Sequence, residues 1–162
     1  MCFRPDTRAR RLWEVNLYAM RYLGIKLLLL DADNTLTKWN DLNALPEAAE
    51  FVRTAKAAGF GVVVISNNHA DRLEPISKQL EINCLPDMHK PLAKKTKAFV
   101  ESIGLQPRDC AVIGDQILTD VLMGKRLGAH TVLLDPIDLT HEYKVTKFNR
   151  NIERLIKKLW KI

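Results

Sequence analysis

Apolar residues in this chain come in short unbroken runs that stop abruptly on polar ones, with stretches of helical period between them. "IKLLLL" (25–30) stops at Asp31, "GVVVIS" (61–66) ends on Ser66, "CAVIGD" (110–115) on Asp115 and "HTVLLD" (130–135) on Asp135. Runs of this length are too short to span a bilayer and suit strands buried on both faces, as in a parallel sheet. "PEAAEFVRTAKAAGF" (46–60) predicts a helix opened by Pro46, with Glu47 and Glu50 in its first turns and Gly59 at its end. "DRLEPISKQLE" (71–81) predicts a second helix, which must start near Pro75 or bend there. A short extended piece, "INCLP" (82–86), precedes a helix in "HKPLAKKTKAFVESIG" (89–104), and "QILTDVLMGKRLG" (116–128) predicts the helix before the last strand.

Strands alternating with single helices imply an α/β fold of three layers, Rossmann-like, with a parallel sheet flanked by helices and right-handed crossovers. Each connection has room for about one helix at 1.5 Å per residue. No cap domain is expected between the strands, and residues 1–162 read as one domain. A site at the strand ends of such a fold is open above, which favours substrates too large to be enclosed.

In open α/β sheets ligands bind beyond the carboxyl ends of the strands. Four polar clusters fall there: "DADNT" (31–35), "SNN" (66–68), "HKP" (89–91) and "GDQILTD" (114–120). The chemistry they suit is phosphoryl transfer. Asp31 can attack phosphorus and form an aspartyl-phosphate. Asp31 and Asp115 supply hard oxygen ligands of the kind Mg²⁺ takes. Asp33 can protonate the leaving oxygen and later activate water. The Ser66 hydroxyl, the amides after it and Lys90 can meet the phosphoryl oxygens, and Lys90 is expected to hold Asp31 ionised. Taken singly, Ser66 reads as a helix cap, Asn67 and Asn68 as turn residues, Lys90 as a solvated lysine and Asp120 as a cap or ion-pair partner. Their order at successive strand ends turns them into a site.

These residues resemble the four motifs of the haloacid dehalogenase (HAD) superfamily: DxDxT, a Ser or Thr ending the second strand, a Lys, and GDxxxxD. "DADNTLTKW", "VVVISNN", "HKPL" and "VIGDQILTDVLMG" are similar to the YqeG-like phosphatases of subfamily IIIA, over about residues 23–148. The resemblance implies a capless Mg²⁺-dependent phosphatase. It implies Asp31 as nucleophile and metal ligand, and Asp33 as acid and base with its carbonyl on the metal. Ser66 and Asn67 would touch phosphate, Lys90 would clamp charge, Asp115 would bind the metal, and Asp120 would stand one step behind it. YqeG-like proteins are related to phosphatidylglycerophosphate phosphatases, which implies a phospholipid headgroup as substrate. A soluble phosphatase of sugar phosphates, nucleotides or phosphoproteins is the alternative, and a non-catalytic RNA- or ribosome-binding scaffold a third reading. Lys125 stands where a small polar residue is expected and is placed at the rim of the site.

Net charge is +6 over 162 residues, with positive charge densest at the two ends. That charge suits a polyanionic partner. "RARRLWEVNLYAMRYLG" (8–24) and "FNRNIERLIKKLWKI" (148–162) are read as basic amphipathic helices that can attach the protein peripherally to an anionic membrane, although a stripe such as the tail's also suits packing on its own domain. Specific nucleic-acid binding is not expected, because the aromatic pattern of common RNA-binding sheets is missing. Cys2, Cys84 and Cys110 are widely spaced and odd in number, which suggests inert thiols and a cytoplasmic protein. His69, His89, His130 and His141 show no metal spacing, and Asp135 before Pro136 reads as a turn.

Overall fold

The computed structural model describes residues 4–39 and 41–138, together with Ile152, Ile156 and Lys158 of the C-terminal segment. Four consecutive leucines have no polar side chain to turn towards water, so they fold as a strand covered on both faces, Leu27–Leu30 (β2), with all four buried. The runs after it behave alike, giving Gly61–Ile65 (β3), Cys110–Gly114 (β5) and His130–Leu134 (β6), with shorter strands Thr7–Ala9 (β1) and Asn83–Leu85 (β4). The helices are Leu17–Tyr22 (α1), Pro46–Ala57 (α2), Ala70–Leu80 (α3), Lys94–Ser102 (α4) and Leu122–Leu127 (α5). All strand pairs are parallel, in the order β1-β6-β5-β2-β3-β4. The fold is therefore the expected α/β sheet with flanking helices, and among the described residues no domain is inserted between strands.

The alternation of strand residues divides the core. Leu28, Leu30, Val62, Val64, Ala111 and Ile113 face the helices α2 and α3 and the N-terminal segment, through Phe51, Val52, Leu73, Ile76 and Leu12. Leu27, Leu29, Val63, Ile65, Cys110 and Val112 face α4 and α5 through Val100, Met123 and Leu127. Gly124 belongs to this contact, since a Cβ there would stand 2.5 Å from Thr131 Cγ2.

The chain passes from β2 to β3 and β4 on one side, then returns to place β5 on the other side of β2. Strand order reverses at β2, so loops leaving β2 and β5 part above the sheet and open a crevice there. Asp31 and Asp115 stand at this crevice, at the ends of adjacent paired strands.

Residues 8–24 do not form one basic amphipathic helix. Arg8 lies on β1, a single 3₁₀ turn covers Leu12–Glu14, and α1 has only six residues, capped by the Asn16 side chain on Ala19 N–H at 3.0 Å. The reason is long-range: Thr7 to Ala9 pair with Val132 to Leu134, and the Arg11 guanidinium donates to the Asp135 carbonyl, so the segment is held out as a sheet edge. The tail reading falls mostly outside the described residues. Ile156 packs against Ile117, Val121 and Leu133 of the domain itself. No helix among the described residues is long and apolar enough to cross a membrane.

Candidate active site

Asp31 N–H still pairs with the Ile113 carbonyl at 2.9 Å, extending the sheet by one residue and fixing the first carboxylate. Asn34 then takes φ +61°, a left-handed conformation that Asn tolerates better than most residues. This turns the chain over the strand end, and a single bridge between Asp33 and Thr37 closes the loop. Ser66 directly follows β3, its hydroxyl accepting from Asn68 N–H at 3.1 Å. Asp115 ends β5 and is fully buried.

Asp120 arrives by a different route. Residues Ile117–Val121 form a π turn, wider by one residue than an α turn, and such turns are frequent at functional sites. The turn brings Asp120 back against the strand end, where its Oδ2 accepts from Gln116 N–H at 3.1 Å. Gly114 makes room, because a Cβ there would lie 2.4 Å from Asp120 Cγ.

One carboxylate oxygen from each of Asp31, Asp115 and Asp120 lies within 4.8 Å of the other two, and all three residues are buried. Lys90 enters from the loop before α4 and donates to Asp31 Oδ1 and, at 2.7 Å, to Asp120 Oδ1. Three carboxylates face one ammonium, and buried charge is costly unless neutralised. Burial, reinforced by Asp120 and Asp115, pushes the Asp31 carboxyl well above the usual range, and the pull of Lys90 does not overcome it. Lys90 is shared between Asp31 and Asp120, so its pull on Asp31 is opposed both by burial and by the neighbouring carboxylates. Burial alone would lower the Lys90 ammonium, but Asp120 and Asp31 raise it above its ordinary value. An all-oxygen donor set with surplus negative charge fits a hard divalent cation such as Mg²⁺.

A cavity of about 180 Å³ opens onto this cluster, lined by Asp31, Asp33, Trp39, Ser66, Asn67, Asn68, Lys90, Gln116 and Thr119. The expected site residues Asp31, Asp33, Ser66, Asn67 and Lys90 thus share one cavity, with Asp115 buried behind it in the acidic cluster. Asn67 differs in detail. Its side chain donates to the Lys90 carbonyl at 2.9 Å and accepts from Lys90 N–H at 2.6 Å, so besides lining the cavity it holds the lysine loop. Asp120 is more central than expected, being a full member of the acidic cluster. Lys125 is not at the rim: it pairs with Asp6, which is bonded to Thr131 near the start of β6, at the opposite end of the sheet.

Two partners of Asp33 were given no such role by the sequence reading, Asn68 being read as a turn residue. Asn68 donates to Asp33 Oδ2 at 2.6 Å, and Arg72 donates to Asp33 Oδ1 at 2.7 Å. Arg72 did leave a signal, since a cation in the first turn of a helix opposes the dipole and needs an anion nearby.

Cys84 and Cys110 are free, and burial pushes both thiols up to about 11, which keeps them unreactive. His69 pairs with Asp87 at 2.8 Å and His130 meets Thr7 Oγ1 at 3.1 Å, both away from the acidic cluster.

A buried acidic cluster facing Lys90, at the switch point of a parallel sheet, is suited to phosphoryl transfer. The sequence model of the haloacid dehalogenase-like hydrolases matches residues 39–128, and the chain belongs to that family. The match begins after Asp31 and Asp33 and takes in Ser66, Lys90, Asp115 and Asp120. Within the family, the chain is 36 % identical over 154 residues to the Bacillus subtilis protein named Probable phosphatase YqeG, covering 95 % of this chain and 89 % of that one. It is 27 % identical over 157 residues to the Arabidopsis thaliana phosphatidylglycerophosphate phosphatase 1, covering 91 % of this chain and 44 % of the plant protein. Among solved structures, the 3-deoxy-D-manno-octulosonate 8-phosphate phosphatase of Moraxella catarrhalis, crystallised with magnesium and phosphate, shares the fold with a TM-score of 0.53 at 14 % identity. That match covers 72 % of this chain and 79 % of the other.

Proposed function

We propose that the protein is a Mg²⁺-dependent phosphomonoesterase working through an aspartyl-phosphate on Asp31, with phosphatidylglycerophosphate as its substrate. The observation that carries the catalytic part is the surplus of buried carboxylate around Asp31, open to a cavity that also presents Ser66 and Lys90. Asp31, Asp115 and Asp120, with the Asp33 carbonyl, are the groups that would hold the cation. When bound, it neutralises the carboxylates and the phosphoryl charge, so that two anions can approach.

An Asp31 oxygen forms the bond to phosphorus as the bond to the ester oxygen breaks. Asp33 delivers its proton to that oxygen. The Ser66 hydroxyl and the Lys90 ammonium hold the equatorial oxygens as charge builds on them. Water then attacks phosphorus, Asp33 takes the water's proton, and phosphate leaves with Asp31 restored. Asn67 keeps Lys90 in place throughout.

The lipid part rests on the plant relative's name and on features of the mouth. The site is open, which suits a headgroup presented from a larger surface. Leu42, three residues from Trp39, and Leu92, two residues from Lys90, are 47 % and 60 % exposed. Exposed Lys38, Lys94 and Lys95 lie in the same loops or just after them. Apolar tips with lysines beside them suit peripheral contact with an anionic membrane.

The test is phosphate release from phosphatidylglycerophosphate in mixed micelles, beside a panel of soluble phosphomonoesters, with wild type and Asp31→Asn. Strong preference for lipid with a dead variant supports both parts. Hydrolysis of soluble esters alone removes the lipid substrate and keeps the nucleophile. No release under any condition contradicts the enzyme reading.

A further inference from the structure

The first turn of a helix already carries partial positive charge from its unpaired N–H groups. Arg72 occupies that turn in α3 and finds its anion in Asp33: Nη2 donates to Oδ1 at 2.7 Å, and each side chain is 15 % exposed. The other Asp33 oxygen accepts from Asn68 Nδ2 at 2.6 Å. Each carboxylate oxygen thus accepts one of these bonds, and together they hold the plane of the group. The second arm of the guanidinium, Nη1, donates to the Asp41 carbonyl. Asp41 belongs to the loop that carries Trp39 to the cavity. One side chain therefore ties together the carboxylate two residues beyond Asp31, the start of α3 and a loop bordering the mouth.

An acid that must meet an ester oxygen works only when held at the right distance and angle. We infer that Arg72 is a positioning residue for Asp33, and that it couples the orientation of that carboxyl group to the place of the Trp39 loop. The inference rests on the reading of Asp33 as acid and base. Arg72 keeps its bond to the Asp41 carbonyl whether or not Asp33 carries the proton, so the frame persists through the cycle. A lysine could reach one of these acceptors but not both in the fixed fork that arginine supplies.

This role has a signature that a merely structural one lacks. In the first step the Asp31 oxygen bonds to phosphorus, the phosphorus–ester bond breaks, and the proton of Asp33 goes to the departing oxygen. A departing group that is stable as an anion needs no proton, whereas a poor one does. Because kcat/KM covers only the steps up to that departure, its slope against leaving-group pKa reports how well Asp33 delivers the proton. The slope is taken within one variant, so any fraction that fails to fold cancels.

The experiment measures kcat/KM with Mg²⁺ for a series of para-substituted phenyl phosphates, from p-nitrophenyl to p-methoxyphenyl. The proteins are wild type, Arg72→Ala, Arg72→Lys, Asp33→Asn and the double variant of Asp33→Asn with Arg72→Ala. Wild type should give a shallow slope. Arg72→Ala should lose about 10- to 100-fold on the poorest leaving groups and no more than about threefold on p-nitrophenyl phosphate, part of the ~10²–10⁴ that general acid help supplies. Arg72→Lys should fall between the two, and the double variant should be no steeper than Asp33→Asn, since both act through one group. If Asp33→Asn is steep while both Arg72 variants stay as shallow as wild type, the inference about Arg72 is overturned and the acid reading stands. If Asp33→Asn is itself shallow, the acid reading falls and the inference with it.

Discussion

The two ends of the sheet hold two clusters of the same ingredients, carboxylate and lysine, put to different ends. Near the start of β6, Asp6 accepts from Lys125, from Thr131 N–H at 2.8 Å and from Thr131 Oγ1 at 2.8 Å. One anion meets one cation and two neutral donors, with the pair side chains 21 % and 35 % exposed. At the other end Lys90 faces Asp31 and Asp120, with Asp115 beside them, all buried. The first cluster is closed: every charge is answered, and it fastens an edge strand. The second sets three buried carboxylates against one described lysine, a surplus that a divalent cation would offset. Whether a carboxylate–lysine contact is structural or chemical is decided here by the balance of charge and by burial, not by the contact itself.

That contrast can be broken by substitution, starting with the nucleophile. Asp31→Asn should abolish turnover, by about 10³-fold or more, while Asp6→Asn should leave it within about twofold. Phosphate release by the two variants checks this. Lys90→Met comes next. It removes the cation that faces the three carboxylates among the described residues, and the metal-free protein should lose about 3 kcal/mol of stability in denaturant unfolding. Added Mg²⁺ should return part of that loss, and a variant as stable as wild type without metal would contradict the charge count.

A smaller effect is expected at Gly114. The new Cβ in Gly114→Ala would collide with Asp120 and should cost about 1–3 kcal/mol by overpacking. Because Asp120 must move, thermal stabilisation by Mg²⁺ should also weaken.

The smallest effect is at the structural end. Burial works to raise the Asp6 carboxyl, but the bonds from Lys125 and Thr131 outweigh it and hold the group below its ordinary 3.8. A carboxyl lowered in the fold stabilises the protein above its unfolded pKa, and that contribution is lost as pH falls through the lowered value. The stability difference between wild type and Asp6→Asn should therefore be present at neutral pH, at about 1 kcal/mol for a partly exposed pair, and vanish in acid. A difference that grows as pH falls would contradict this assignment.

What was legible in the sequence follows the same physics. Strands that are buried on both faces announce themselves as unbroken apolar runs, so β2, β3, β5 and β6 could be read directly, and with them the places where Asp31, Ser66 and Asp115 emerge. β1 could not, because "TRA" is an exposed edge whose only reason to be extended is a partner 125 residues away in the chain. The helix expected over 116–128 is divided between a π turn and α5. Both forms place apolar residues on one side, so the hydrophobic period does not separate them. The helix expected from His89 begins at Lys94, because His89 has φ +55° and Lys90 is bound to Asn67 across the site. Arg72 received no role, since the anion that answers it lies 39 residues earlier.

The central claim is that Asp31 is the phosphoryl acceptor. Asp33→Asn with p-nitrophenyl phosphate and Mg²⁺ is the condition to examine, because the good leaving group still departs while the second step lacks its base. After quenching, borohydride reduction and peptide mass spectrometry read out any acyl phosphate as homoserine. Homoserine is expected at position 31, dependent on substrate and on Mg²⁺ and missing when Asp31→Asn is added. Turnover with Asp31 unmodified, or modification at another carboxylate, would contradict it.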